Sequence, residues 1–305
     1  RDPNMNPKRL QRYLVAIEYV GTQFAGAQKQ PAARTVVGVL EEAFQKFIGQ
    51  PVSIYCSSRT DAGVHALSNV CHVDVERITE RKPGEVLPPH DPLIVKRAVN
   101  HFLQQKNEGG DIMVIDVRCV PNDFHARYNA LERTYFYRLV SGKDAVSSFD
   151  KDRVWQVPEE LDLSSMKKAC EILVGCHDFS SFRSAGCQAK SPVRTLEELS
   201  VSAISSSPFP EINNPSRGTS ERIEDCGECF GIRKRNHNFL ITARARSFLY
   251  HQVRLVVGVV KSVGSGELTV SDVERILKAR SITAASPMAP ASGLYLAHVK
   301  YDFFP

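Results

Sequence analysis

The sequence lacks long apolar runs and any regular arrangement of cysteines. No segment reaches the roughly 18 consecutive apolar residues of a transmembrane helix, so we expect no membrane span. Eight cysteines stand at irregular spacings, several of them in strand-like segments (Cys56, Cys71, Cys119). This argues against a disulfide framework and predicts reduced thiols in an intracellular compartment. The cytoplasm, the nucleus, a mitochondrion or a plastid would fit, since a sequence that begins at Arg1 leaves room for a removed targeting peptide.

Metal ligands at useful spacings are also scarce. Cys226 and Cys229 form a C-x2-C pair, and His237 follows. A structural zinc site needs four ligands, and no second pair stands at a suitable spacing. We therefore expect no metal centre.

Carboxylates are missing from one long stretch of the chain. Between Cys229 and Gly266 there is no Asp or Glu, while seven basic residues occur: Arg233, Lys234, Arg235, Arg244, Arg246, Arg254 and Lys261. The net charge of +5 says little by itself. The local excess favours a surface that faces a polyanion over an ordinary solvated strand face.

The hydrophobic pattern occurs twice along the chain. The first half is predicted to contain strand 13–19, helix 36–48, strands 53–57 and 70–75, helix 92–105 and strand 112–117. The second half is predicted to contain strand 134–140, helix 164–174, strands 196–203 and 239–245, helix 248–263 and strand 294–301. A short extra helix is assigned a capping box of Ser271 and Glu274.

Each half thus has the order βαββαβ of a ferredoxin-like unit. We predict an α+β fold with two tandem ferredoxin-like halves, residues 10–120 and 121–305. They are expected to share an extended antiparallel sheet, with helices on one face and a basic cleft between the halves. Residues 205–238, rich in Ser, Pro, Asn, Gly and charge, are predicted to form a flexible surface insertion.

The most informative segment is S-S-R-T-D-A-G-V-H-A, residues 57–66, between the second and third predicted strands. Asp61 and Gly63 alone are equally typical of a tight turn. Three later segments change the interpretation: D-F-H-A-R at 123–127 with R-T-Y at 133–135, S-F-L-Y-H-Q-V-R-L-V-V-G at 247–258, and A-P-A-S-G-L-Y-L at 289–296. In this order the four segments resemble those of tRNA pseudouridine synthases of the TruA type.

The resemblance runs from about Tyr13 to Tyr301, with modest departures. Ser58 stands where the family usually has Gly, and Leu255 stands where it commonly has Asn. Neither change removes a reactive group. The 205–238 insertion is longer than compact members need.

The resemblance implies an isomerase that converts uridine to pseudouridine in tRNA, in the anticodon arm at about positions 38–40, and that works as a homodimer. Because the reaction conserves atoms, it needs no redox cofactor and no ATP. The implied catalytic residues are Asp61, Tyr135 and Arg254. The Asp61 carboxylate would act at C1′ or help to remove the C2′ proton through a glycal. Arg254 would keep it ionised, and Tyr135 would stack on the uracil.

The remaining implied residues contact RNA. Arg59 would fill the space that the flipped base leaves. The candidate phosphate contacts are Arg127, Arg133, Arg244 and Arg246. His65 is also assigned to RNA, and His125 and His251 are read as structural or RNA-facing, since no step obviously needs a histidine.

Two other functions stay open at this point. One is a non-catalytic RNA-binding or RNA-folding module, against which Asp61, Tyr135 and Arg254 count. The other is a glycosylase that releases free uracil. An RNA other than tRNA is a further alternative as substrate.

Overall fold

The computed structural model describes residues 10–77, 85, 87–105, 110–205, 236–285 and 287–302. Most of the predicted insertion lies outside these residues, as do Cys226 and Cys229. All six described cysteines are free thiols. No described helix combines the length and apolarity needed to cross a bilayer.

The first half has the predicted element order. Its elements are β1 (Gln11–Tyr19), α1 (Val36–Ile48), β2 (Ile54–Cys56), β3 (His65–Val75), α2 (Pro92–Gln104) and β4 (Ile112–Val120). The helix bounds follow from their caps. The Thr35 side chain accepts a hydrogen bond from the Gly38 amide, and Gly49 ends α1 in the left-handed conformation. Asp91 caps α2, whose first residue is a proline.

The second half adds short elements to the same order. They are β5 (Glu132–Ser141), β6 (Trp155–Val157), α3 (Leu163–Leu173), β7 (Gly175–Asp178), β8 (Val193–Ile204), β9 (His237–Ala245), α4 (Gln252–Gly264), α5 (Val270–Ala279) and β10 (Leu294–Lys300). Strands β6 and β7, of 3 and 4 residues, were not predicted because so short a segment shows no periodicity.

Two predicted helix starts need correction. Helix α4 begins at Gln252 and not at Phe248, because His251 has a left-handed backbone (φ 62°) that a helix cannot continue through. Helix α5 is capped by Thr269 and Asp272, not by Ser271 and Glu274. An aspartate at the third helical position closes the box as well as a glutamate would.

One mostly antiparallel sheet joins the halves. Its ten strands run in the order β4-β1-β3-β10-β5-β9-β8-β7, with β2 on β3 and β6 on β5. This confirms the predicted α+β class and shared sheet. Two pairs are parallel, β5 with β6 and the seam between the halves. At that seam Tyr295 pairs with His65 and Leu296 with Ala66.

Each half has its own apolar core, and the cores exchange residues at the seam. Helices α1 and α2 pack on each other over the first core, and α3 and α4 over the second. Leu296 and Val299 of β10 join the first core, although β10 belongs to the second half. Val64 of the first half joins the second core. The boundary near residue 120 remains a prediction.

Candidate active site

A cavity of about 1130 Å³ opens where the two halves meet. It is large enough for a nucleotide. Among its described lining residues are six arginines and a single carboxylate, Asp61. The arginines are Arg59, Arg127, Arg133, Arg194, Arg246 and Arg254. A cavity with this charge favours an anionic ligand such as a phosphodiester chain.

The loop that carries Asp61, residues 57–64 between β2 and β3 (the Asp61 loop), is tied to the chain around it. The Ala27 amide donates to the Thr60 carbonyl (2.9 Å), and the Gly63 amide donates to the Phe24 carbonyl (3.3 Å). Gly63 has a φ of 78°, which favours glycine. These bonds hold Asp61 at a fixed point on the cavity wall.

Beneath the loop lies a network of uncharged polar side chains. The hydroxyls of Tyr19 and Thr60 are 2.7 Å apart. Asn69 donates to the Tyr19 hydroxyl and to the Ser58 carbonyl (3.2 Å each) and accepts from the Ser57 hydroxyl (3.0 Å). All five residues are buried. Buried and satisfied polar groups of this kind make a loop rigid.

The second half brings two groups to the Asp61 carboxylate, both at the start of α4. His251 Nε2 lies 3.3 Å from Asp61 Oδ2, and Arg254 Nη1 lies 3.9 Å from the same oxygen. Arg254 Nε donates to the Ala289 carbonyl at 2.8 Å. Helix α4 can approach that segment because Gly258 has no Cβ. A Cβ at this position would lie 1.9 Å from the Pro287 carbonyl oxygen. A larger residue there would push Arg254 away from the site.

The protonation of Asp61 depends on a balance of burial and charge. Burial raises the pKa of its carboxyl, and nearby His251 and Arg254 oppose that rise. Its side chain is 28% exposed, so the carboxylate keeps an open side towards the cavity. The predicted partnership of Arg254 with Asp61 is therefore found in the geometry.

Tyr135 lies on β5 and lines the same cavity. Burial raises the pKa of its phenol to about 12, although a hydrogen bond with Ser58 acts in the opposite direction. Phe248 meets its ring edge-on, with centroids 5.2 Å apart and planes at 90°. A neutral phenol held in this way offers a flat apolar surface and a hydroxyl donor beside Asp61.

Three of the predicted RNA contacts are exposed side chains at the cavity. Arg59 is in the Asp61 loop, Arg127 follows the first half, and Arg246 precedes α4. Beside Arg127, Tyr128 is 74% exposed, and its ring lies 4.3 Å from that of His125. Guanidinium groups and an exposed aromatic ring suit phosphates and bases.

Three other predicted RNA contacts do not fit this structure. Arg133 is buried, and its guanidinium donates to the carbonyls of Ser57, Arg127, Ala130 and Arg246. Arg244 forms ion pairs with Glu132 (2.9 Å) and Glu198 (3.1 Å), outside the cavity.

The third of them is His65, which is only 1% exposed. Its Nδ1 accepts from the Gly21 amide, and its ring stacks on Tyr295. We assign all three a structural role. The residue type alone does not tell whether an arginine or histidine side chain is buried or exposed to RNA.

Sequence reasoning missed the place of His251. The sequence signal that could have found it is its position three residues before Arg254. Residues at this spacing lie about one helical turn apart, on the same side of a helix. Ser184, whose Oγ lies 2.8 Å from His251 Nδ1, gave no sequence signal. Within the described part of the chain, no group of three or more His, Cys, Asp or Glu side chains could hold a metal ion.

Comparisons with known proteins agree with the geometry. The model of the tRNA pseudouridine synthase family matches residues 15–129 and 169–302. A protein named tRNA pseudouridine synthase A from Rhodospirillum centenum is 39% identical over 292 residues, 96% of this chain and 100% of the relative. Its namesake from Paramagnetospirillum magneticum is 38% identical over 95% of both chains, and that from Bartonella tribocorum is 37% identical over 96% of this chain and 100% of its own. The chain therefore belongs to the tRNA pseudouridine synthase family.

Proposed function

We propose that this protein converts uridine to pseudouridine in tRNA and that Asp61 is its essential catalytic residue. The observation that carries the proposal is the Asp61 carboxylate itself. It is the single acid among the described residues of an arginine-lined cavity, and it faces Arg254 and His251 from the other half. Its open side leaves room for a ribose.

The chemistry needs an ionised carboxylate at this place. Breaking the N1–C1′ bond builds positive character at C1′, which a carboxylate stabilises or attacks. On the alternative route through a glycal, the same carboxylate removes the C2′ proton and returns it to C2′ when C5 bonds to C1′. In both routes the base turns and C5 joins C1′, which displaces the carboxylate where it had bonded to C1′. The hydrogen at C5 then leaves as a proton, and N1 gains one. Arg254 keeps Asp61 ionised against the cost of burial.

The other residues bring the base to Asp61. A uridine within a stem must be flipped out at a cost of a few kcal/mol. Arg59 is exposed beside Asp61, so its planar guanidinium is free to take the vacated space and to bind a phosphate. Tyr135 supports the extruded uracil by stacking, while Arg127 and Arg246 hold the backbone.

The finer assignments rest on the resemblance of the four motifs. We propose uridines in the anticodon arm, at about positions 38–40, as targets, and a homodimer in which the second subunit helps to hold the tRNA. We also propose an intracellular site of action. Free thiols at all six described cysteines support a reducing compartment.

Product analysis tests the proposal. Transfer RNA labelled with tritium at uridine C5 is incubated with the protein, and both tritium release and nucleoside composition are measured. We expect release of tritium with an equal yield of pseudouridine. Free uracil would identify a glycosylase, and unchanged RNA that nevertheless binds would identify a non-catalytic module. Sequencing of the modified positions then tests the anticodon-arm assignment.

A further inference from the structure

His251 occupies a constrained position opposite Asp61. It precedes the first residue of α4 with a left-handed backbone (φ 62°) and does not cap the helix with its side chain. The ring is stacked on Tyr250, with centroids 3.7 Å apart. Non-glycine residues seldom adopt this conformation, and where they do at a cavity wall the strain commonly serves the site. Here it turns the imidazole towards the first half of the protein.

Both ring nitrogens of His251 lie close to a polar partner. Nε2 lies 3.3 Å from Asp61 Oδ2, and Nδ1 lies 2.8 Å from the Ser184 hydroxyl oxygen. A carboxylate only accepts, so this contact is attractive when Nε2 carries a proton. In the neutral ring Nδ1 is then an acceptor, which the Ser184 hydroxyl satisfies. Ser184 is itself fixed, because its amide donates to the Tyr250 carbonyl (3.1 Å).

We propose, on the basis of the proposed function, that His251 and Ser184 are positioning residues for the isomerisation. Ser184 holds the imidazole in the tautomer with a proton on Nε2. That N–H then donates to Asp61 Oδ2, which fixes the carboxylate plane and keeps Oδ1 turned to the ribose. With both nitrogens engaged, His251 is not the base that removes a proton from the substrate.

Arg254 cannot perform the same task. Its Nη1 is farther from Asp61, at 3.9 Å, and its Nε is committed to the Ala289 carbonyl. It supplies charge, whereas His251 supplies a directed hydrogen bond. Hydrogen bonds to charged groups are stronger and more directional than neutral ones, so losing this donor is expected to affect both the orientation and the ionisation of Asp61.

The surroundings of the ring define what a pH experiment reports. The charged and titratable groups that face it are Asp61 from the first half and Arg254 and Tyr250 from the α4 region; Cys187 and Arg194 line the cavity from the side of Ser184. Burial lowers the pKa of His251, and Asp61 opposes this. Asp61 must be ionised to act. Removing its donor raises the pKa of Asp61, so the acid limb of the activity profile moves to higher pH.

The experiment compares four variants by kcat and KM on C5-tritiated tRNA between pH 5 and 9. His251→Ala should lower kcat by about 10- to 100-fold, the loss of one charge-assisted hydrogen bond. Its KM for tRNA should change little, and its acid limb should move to higher pH. His251→Gln keeps an N–H donor and should recover most of the activity. Ser184→Ala should shift the limb in the same direction with a smaller loss, and Ser184→Thr should restore it.

Controls separate this proposal from the folding of the variants and from the proposed function. His101→Ala, an exposed histidine on α2, is the matched control and should match the wild type. If His251→Ala does not unfold cooperatively, the proposal is tested by Ser184→Ala and Ser184→Thr alone. The proposal is overturned if the alanine variants keep kcat within twofold with an unmoved acid limb, or if Gln and Thr rescue nothing. Failure of the proposed function looks different, because the wild type itself would then form no pseudouridine.

Discussion

The Asp61 loop and the start of α4 meet in one cavity but are held in place by different means. The loop rests mainly on uncharged, buried hydrogen bonds within the first half, through Tyr19, Thr60 and Asn69, with one further bond from Arg133 of the second half. The α4 start depends on segments remote in sequence, at Ser184 and Ala289, and on a strained residue. The anion is therefore fixed mainly from within its own half, whereas its two partners are fixed by contacts with segments remote from α4 in sequence. Disturbing either side should have different consequences.

The largest effect is expected on the loop side. Asp61→Asn keeps size and hydrogen bonding but removes the charge that C1′ requires. Tritium release should fall by roughly 10³-fold or more, while the fold and the affinity for tRNA stay near those of the wild type. Single-turnover assays and filter binding measure the two quantities. Substantial turnover by this variant would contradict the assignment of Asp61.

On the helix side, Arg254→Ala leaves Asp61 half-buried with His251 as its remaining partner. Activity should drop by about 10²-fold, with partial recovery at higher pH, since the pKa of Asp61 rises when a cation is removed. In combination with Asp61→Asn it should cost little more than Asp61→Asn alone, because the two residues act as one unit. Additive losses in this double-mutant cycle would show that Arg254 works independently.

Arg59 tests whether the loop does more than hold Asp61. Arg59→Ala should lower turnover by about 10-fold or more while weakening tRNA binding only a few-fold, because the vacated space matters after flipping. The comparison of kcat with Kd provides the measurement. Equal losses in both would reassign Arg59 as a plain phosphate contact.

A smaller but clearer contrast separates buried from exposed arginines. Arg133→Met removes the hydrogen bonds to carbonyls on both sides of the site, and should cost about 2–4 kcal/mol of unfolding free energy. Arg246→Ala should leave stability unchanged but reduce the slope of log affinity against log salt by about 1. Denaturant titrations and binding at about 50–200 mM salt distinguish them. A reduced salt slope in Arg133→Met would restore it as a phosphate contact.

The smallest expected effect concerns stability. The pKa of Asp61 is raised in the folded protein, so the folded state binds its proton more readily than the unfolded chain. Stability therefore falls as pH rises from the ordinary value of 3.8 through the folded pKa. Asp61→Asn should melt about 1–3 °C above the wild type at pH 7. The gain should vanish at lower pH, and a lower melting temperature at pH 7 would mean that the ion pairs outweigh burial.

Local signals in the sequence were sufficient for much of the fold. Helix α1 begins and ends as predicted, since Thr35 and Gly49 are strong caps. Strand β3 starts earlier than predicted, because Asn69 and His65 are polar residues that the fold buries. The parallel seam had no signal, because register between distant strands depends on the whole sheet.

For the site, Asp61, Tyr135 and Arg254, which the motifs had brought together, all line one cavity. What they could not predict depends on tertiary contacts. The role proposed for His251 rests on a backbone conformation and on Ser184, 67 residues away. Likewise, the hydrogen-bond and ion-pair partners of Arg133 and Arg244 decide whether each charge is available to RNA. These partners cannot be identified from the sequence alone.

The seam strand β10 has a consequence for synthesis of the protein. Leu296 and Val299 complete the core of the first half, although they are made some 180 residues after β4 ends at Val120. The segment before β10 also carries the Ala289 carbonyl that holds Arg254. A domain generally folds once its residues have left the ribosome. The first half therefore emerges with its Asp61 loop synthesised but without the strand that completes its core, and a nascent chain carries this loop long before the cavity around Asp61 can form.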